Sequence, residues 1–351
     1  MKNITFIGPI NNKYPYAGDT MKNMEIYNYF KQRKDINLKY INTSCWHNGE
    51  FFKIIKVLLQ IIFVIIVDRK RLICLSLNSD SLYKIINLCY CFKRKRIWIF
   101  VIGGELINRI YRKQYKQKYF SIPDKIYVEG LSMLSLAQKM NMYNVFHLPN
   151  FKSVNKKIEQ LSYSKTDSKL DDKPIKFVFL SRIMAEKGVT LIFNAIKLLN
   201  QKKLNDKFTV TFFGQIDNKY KMFFENELLI YNNAEYGGIL NFSSIEGYKT
   251  LSTFDVMLFP TMWKGEGFPG IIIDAYVAGL PIIASDWNMN SEVIKDGVNG
   301  FLINPITAEN LVTKMELFIN NKDLIVKLGK ESTALASRYD TEELLNKIFE
   351  K

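Results

Sequence analysis

The chain has 351 residues, too many for one ordinary core and suited to two domains of somewhat under about two hundred residues each. With 48% hydrophobic and 24% charged residues, and only 18 Gly and 9 Pro, its composition excludes a disordered or fibrous protein. The net charge of +15 is one-sided: Met1 to Lys165 holds 28 Lys/Arg against 10 Asp/Glu, the remainder 21 against 24, so only the first half calls for an anionic partner.

Ile4-Thr5-Phe6-Ile7-Gly8-Pro9 is a short apolar run ending in turn residues, which predicts a buried strand. Met1 to Gly8 shows no basic flank, long apolar stretch or small-residue cleavage site, so no export signal is expected there and the expected location is cytoplasmic. Similar runs at Leu72 to Leu77, Ile97 to Ile102, Ile126 to Val128 and Val145 to Leu148 alternate with helical patterns at Met21 to Phe30, Ser81 to Phe92 and Leu131 to Met140. That alternation is the mark of a parallel sheet covered on both faces, a first Rossmann-like α/β domain. Cys45, Cys74, Cys89 and Cys91 show no Cys-x-x-Cys spacing and read as buried thiols in a reducing compartment. His47 and His147 are too few for a metal cluster and are expected to be structural.

Phe51 to Val67 is nearly all apolar but is interrupted by Lys53, Lys56 and Gln60, and its charge-free part falls well short of the ~20 residues that span a bilayer. Two readings stand open. It is a buried helix of the first domain, or a helix lying in a membrane interface, with Arg69-Lys70-Arg71 and Lys93-Arg94-Lys95-Arg96 close by in sequence.

Lys152 to Lys173, rich in Lys, Ser and Asp, has the composition of a linker. Strand patterns then restart at Phe177 to Leu180, Phe208 to Phe213, Val256 to Phe259, Pro281 to Ala284 and Phe301 to Ile303, giving a second Rossmann-like domain. Ser243 to Glu246 has the form of a capping box, and the tail from Ala308 is helical.

Chemistry concentrates in the second half. Glu266-Gly267-Phe268-Pro269-Gly270-Ile271-Ile272-Ile273-Asp274 follows a strand and leads into a helix, the position where loop amides and helix N-termini gather ligands in a doubly wound sheet. Gly267 and Gly270 allow close backbone approach, Pro269 suits the first helical turn, and the amides there can hold a diphosphate. Asp274, one turn on, is placed to reach a ribose hydroxyl, and Glu266 to accept hydrogen bonds from a sugar. Arg182 and Lys187 leave the end of another strand and can neutralise the same phosphates. That is a task divalent metals perform elsewhere, and the chain has no Asp-x-Asp to hold one, so no metal is expected.

These residues, with Gly188, Ala278 to Asp286, and Glu292-x-x-x-Asp296-Gly297-x-Asn299-Gly300, resemble the retaining glycosyltransferases of family 4, whose fold is GT-B: two Rossmann-like domains facing across a cleft. The resemblance runs in order from Phe177 to Asn304. It implies that Arg182 and Lys187 bind the donor diphosphate, Glu266 contacts the donor sugar and Asp274 the ribose, with Glu266, Arg182 and Lys187 catalytic. It adds Gly18, Gly267, Phe268, Pro269, Gly270 and Ile271 to the donor site.

In the first half Gly8, Ala17-Gly18-Asp19-Thr20 and Leu148-Pro149-Asn150 fit the family more weakly. Asp274 stands where a Glu is usual, Ala17-Gly18 where Gly-Gly is common, and Gly103-Gly104-Glu105 where many relatives place a His near the acceptor. Those three residues are the acceptor-side candidates. The expected domains are 1–165 for the acceptor, 166–335 for the nucleotide sugar, and 336–351 as a helix returning to the first domain.

The implied reaction moves a hexose-type sugar with retention, from a nucleotide diphosphate sugar as co-substrate. The basic first half points to a polyprenyl-diphosphate-linked glycan acceptor at an anionic membrane, in bacterial surface polysaccharide assembly such as O-antigen or capsule. An epimerase or phosphorylase on the same fold is the alternative. A nucleic-acid binder is a further one, against which there is no aromatic-basic RNA motif, so nucleic acid is not an expected partner.

Overall fold

The computed structural model describes residues 1–11, 18–49, 51–161 and 173–349. The chain forms two compact units, Met1–Lys152 with Thr341–Lys351, and Ser153–Asp340.

The first unit holds β1 (Lys2–Gly8), β2 (Ile36–Asn42), β3 (Leu72–Leu75), β4 (Ile97–Phe100), β5 (Lys125–Val128) and β6 (Val145–His147), in the order β2-β1-β3-β4-β5-β6. Every pairing is parallel. A parallel sheet needs a crossover between neighbours, and the helices Gly18–Gln32, Ser79–Cys91 and Leu131–Lys139 supply it. The core of this unit gathers Ile4, Phe6, Phe30, Cys74 and Phe100 with Leu345 and Phe349 of the last helix, Thr341–Phe349. Phe349 meets Trp98 and Phe30 with ring centroids 4.7 and 5.1 Å apart, and Lys2 Nζ donates to its carbonyl at 2.6 Å.

A closed ion pair sits where the strands of this sheet end. Lys22 Nζ lies 2.5 Å from Glu129 Oε1 and also donates to the carbonyl of Val101, just past β4. Both side chains are 4% exposed. His147 Nε2 lies 3.1 Å from the Glu129 carbonyl oxygen, whereas the His47 side chain lies outside the described residues.

The second unit holds β7 (Ile175–Leu180), β8 (Phe208–Phe213), β9 (Ala234–Gly238), β10 (Val256–Phe259), β11 (Ile282–Ser285) and β12 (Gly300–Ile303). Their order is β12-β11-β10-β7-β8-β9, again parallel throughout. Chain progress reverses between β7 and β10, and the carboxyl ends of those two strands form the crevice where doubly wound sheets take ligands.

Several expectations are corrected. The helix Phe51–Ile66 is not a core helix: Val57, Ile61, Val64 and Ile65 are buried, while its opposite side is exposed and apolar. Cys91 is exposed, unlike the three buried cysteines. The capping box is not made. Ser244 caps the helix Ile245–Leu251 without a side-chain bond, Ser243 Oγ donates to Asn241, and Glu246 pairs with Lys249. The linker stretch opens with a helix, Asn155–Gln160, and residues 162–172 lie outside the described ones. β2 and β9 have no counterpart among the apolar runs because these two edge strands carry polar residues, unlike the edges β6 and β12. β2 alternates polar and apolar residues, and β9 reads Ala-Glu-Tyr-Gly-Gly.

Candidate active site

Lys187 and Glu266 come from the two strands that flank the crevice. After β7 the chain turns through Arg182 and Lys187 to Gly188, whose φ of +84° suits glycine. A Cβ there would stand 2.2 Å from the carbonyl oxygen of Pro260, the residue after β10. Glycine at 188 therefore lets the two loops touch. Lys187 Nζ lies 2.5 Å from Glu266 Oε2, with side chains 8% and 11% exposed. Thr261 Oγ1 donates to the same oxygen at 2.9 Å. Desolvating two charges this far costs several kcal/mol per ion, which mutual attraction and the threonine bond offset. Glu266 Oε1 makes no hydrogen bond among the described residues.

The Glu266 loop is pinned from three sides. The amide of Met262 donates to the Glu186 carbonyl at 2.8 Å, and Ser285 Oγ donates to the Thr261 carbonyl at 2.5 Å. Past β11, Trp287 Nε1 donates to the Trp263 carbonyl at 2.9 Å and Asn288 Nδ2 to the Glu266 carbonyl at 3.1 Å. Such fixing holds the carboxylate in place before any ligand arrives. Arg182 is exposed, its guanidinium 5.6 Å from the centroid of the Trp263 ring in the same loop.

The helix Gly270–Val277 starts four residues beyond Glu266. Pro269 is its N-cap rather than its first helical residue. The amides of Gly270 and Ile271 belong to the first turn, which an α-helix cannot satisfy internally. Phe268 is buried with its ring against Tyr339, so it shapes the loop from beneath, and Gly267 is half-buried beside it. Asp274 is 1% exposed, and its Oδ1 accepts the Tyr248 hydroxyl at 2.7 Å. Lys157 Nζ in turn donates to that hydroxyl at 3.1 Å. Lys187 is thus brought to Glu266, and Asp274 is held by Tyr248 instead.

Asp296 and Asn299 serve the scaffold. Asp296 Oδ1 accepts from the Leu302 amide at 2.7 Å, and buried Asn299 donates to the Tyr276 hydroxyl at 2.8 Å.

In the first unit, Gly18 opens the helix Gly18–Gln32, and a Cβ there would meet nothing within 4 Å, so protein packing does not require glycine at that place. Ala17 lies outside the described residues. Gly103, Gly104 and Glu105 follow β4, Gly103 with φ +75°. Glu105 Oε2 lies 3.9 Å from Arg109 Nε, and Arg109 Nη1 donates to Asp80 at 2.7 Å and to the Tyr115 hydroxyl at 2.8 Å. The Tyr115 hydroxyl donates to Asp80, and that bond with the Arg109 charge holds the Asp80 carboxyl below its ordinary range.

Sequence reasoning missed Thr261, Trp263, Tyr248, Lys157 and this Asp80 network. Thr261 alone carried a signal, standing two residues past an apolar strand. Among the described residues no three His, Cys, Asp or Glu side chains converge as metal ligands.

Comparison with known proteins bears on the family and the fold. Residues 163–334 match the family described as Glycosyl transferases group 1. The chain is 22% identical over 240 residues to the poly(ribitol-phosphate) alpha-N-acetylglucosaminyltransferase of Staphylococcus aureus, covering 66% of this chain and 45% of that protein. It is 24% identical over 255 residues to an uncharacterised 41.2 kDa protein in the cps region of Klebsiella pneumoniae, covering 70% and 64%. The chain thus spans about half to two-thirds of the length of these curated relatives. Among solved structures it superposes on Anabaena Alr3699/HepE in complex with UDP, with a TM-score of 0.71 at 12% identity, covering 100% of this chain and 99% of that one. The chain therefore has the GT-B fold, and its residues 163–334 are a domain of the glycosyl transferases group 1 family.

Proposed function

We propose that the protein is a retaining, metal-independent glycosyltransferase that moves a hexose-type sugar from a nucleotide diphosphate donor to a lipid-linked glycan, in surface polysaccharide assembly such as O-antigen or capsule. The observation that carries this reading is the Glu266 carboxylate at the switch point of the second sheet. One oxygen is fixed by Lys187 and Thr261, and the other is available to a ligand hydroxyl. In this reading the sugar lies against Glu266 Oε1 and the diphosphate against Lys187, Arg182 and the amides of Gly270 and Ile271. The acceptor oxygen bonds to the anomeric carbon as the bond to the diphosphate breaks, and the acceptor proton passes to the departing diphosphate oxygen on the same face. Lys187 and Arg182 stabilise the charge that develops there. Asp274, positioned by Tyr248, faces the ribose side. Gly103, Gly104 and Glu105 serve the acceptor, at the cytoplasmic side of an anionic membrane. A surface-glycan setting is supported by the names of the two relatives, a poly(ribitol-phosphate) glycosyltransferase and a protein of a cps region.

The test is thermal-shift screening against a panel of nucleotide sugars, followed by transfer assays with and without EDTA. A preferred donor raises the melting temperature, and transfer persists in EDTA with the anomeric configuration kept. Inert nucleotide sugars across the panel remove the reading.

A further inference from the structure

We propose that the outer face of the helix Phe51–Ile66 is a docking surface for an anionic lipid bilayer, with the helix lying flat in the head-group region. This deepens the membrane-side acceptor reading but stands on a surface of its own, in the first unit. Four side chains, Val57, Ile61, Val64 and Ile65, are buried and tie the helix to that unit. Phe52, Ile55, Leu59, Ile62, Phe63 and Ile66 recur at three- and four-residue steps, so they form one stripe down the other side. All six are exposed, Phe52 by 85% and Leu59 by 61%. A contiguous apolar face of this kind is costly to leave in water and marks an interaction surface.

The charge around the stripe selects the occupant. The helix carries no acidic residue, and its flank presents Lys53, Lys56 and Gln60. Lys39 and Lys56 line a shallow open groove with Phe52, Ile55, Leu59 and Phe63, and the Lys39 ammonium lies 5.1 Å from the centroid of the Phe63 ring. Beyond the helix two basic turns are clamped side by side. The buried Arg94 donates to the carbonyls of Arg69 at 2.9 Å and Arg71 at 2.5 Å, and Arg69 donates back to the carbonyls of Phe92 and Lys93. This clamp collects Lys70, Lys93, Lys95 and Arg96, all exposed and without a carboxylate partner among the described residues. Of the acids nearby, Asp68 is paired with Arg71 at 3.1 Å, and Asp124 accepts from the Ile97 amide at 2.9 Å. No helix of the described chain is long and apolar enough to cross a membrane, so on a bilayer this helix would lie in the interface and not span it. A second copy of this chain would bring the same cations against themselves. A bilayer with acidic head groups offers apolar depth to the stripe and negative charge to the turns.

The test is co-sedimentation of the full chain with vesicles of phosphatidylcholine alone or with about one-third phosphatidylglycerol. Binding is expected to the anionic vesicles, at least about tenfold weaker to neutral ones, and weakened by salt. The triple variant Phe52→Ser, Leu59→Ser, Phe63→Ser alters only exposed side chains and should lose binding with its melting temperature kept. If that variant misfolds, Lys70→Gln, Lys93→Gln, Lys95→Gln, Arg96→Gln gives the second reading, with at least about a tenfold loss on anionic vesicles alone. Wild-type protein that ignores anionic vesicles, or variants that bind as well as wild type, overturn the inference. So does a solution dimer that buries the stripe in place of lipid. Vesicle binding without sugar transfer to any lipid acceptor leaves this inference standing and removes the acceptor reading.

Discussion

Each sheet ends in a lysine–glutamate pair 2.5 Å apart, and the two pairs do different work. Lys22–Glu129 in the first unit is closed on itself: both groups are 4% exposed and the ammonium is also spent on the Val101 carbonyl. Lys187–Glu266 in the second unit lies at the crevice between β7 and β10, where Thr261 shares one carboxylate oxygen and Oε1 has no partner among the described residues. An ion pair this dry, its ammonium held by a carbonyl as well, stabilises a fold. One that keeps an acceptor atom in reserve at a switch point is suited to a ligand.

Matched substitutions break this comparison if it is wrong. Glu129→Gln keeps the shape but leaves Lys22 charged and buried, and should cost the first unit about 3–5 kcal/mol in urea unfolding. Glu266→Gln should lower transfer on the order of 10²–10³-fold and cost less stability than Glu129→Gln, because Lys187 and Glu266 are 8% and 11% exposed against 4% for each group of the first pair. Equal stability losses in the two variants would mean that both pairs are structural.

Tyr248→Phe sharpens the reading of Asp274. Loss of the hydroxyl at 2.7 Å from a 1% exposed carboxylate should cost about 1–2 kcal/mol, and a rise in donor KM with kcat retained would place Asp274 on the ribose. An unchanged KM would leave Asp274 to the scaffold. The smallest expected effect is chemical. Burial pushes the Cys89 thiol up to about 12 and Cys74 higher still, so both remain protonated and inert at pH 8. Native alkylation followed by peptide mapping should label the exposed Cys91 first.

Much of the candidate site was legible because it is local. Glu266, Pro269, Gly270 and Asp274 lie within nine residues, and one turn of helix sets their spacing. The buried strands were legible for the same reason. A central parallel strand is apolar on both faces, so β10, Val-Met-Leu-Phe, reads directly as an unbroken run. The edges β2 and β9 have a neighbour on one side only, and nothing forces their residues to be apolar.

By itself, then, the sequence determined the alternation of strands and helices, the basic bias of the first half and the order of residues along the Glu266 loop. Tertiary structure alone decided the rest. Lys22 finds Glu129 across 107 positions, Thr261 and Tyr248 become the partners of Glu266 and Asp274, and one face of the helix Phe51–Ile66 is covered while the other is left bare. The physical reason is distance along the chain. Hydrophobic periodicity and turn chemistry act over a few residues, whereas which charge meets which, and which apolar face meets water, depends on elements that only folding brings together.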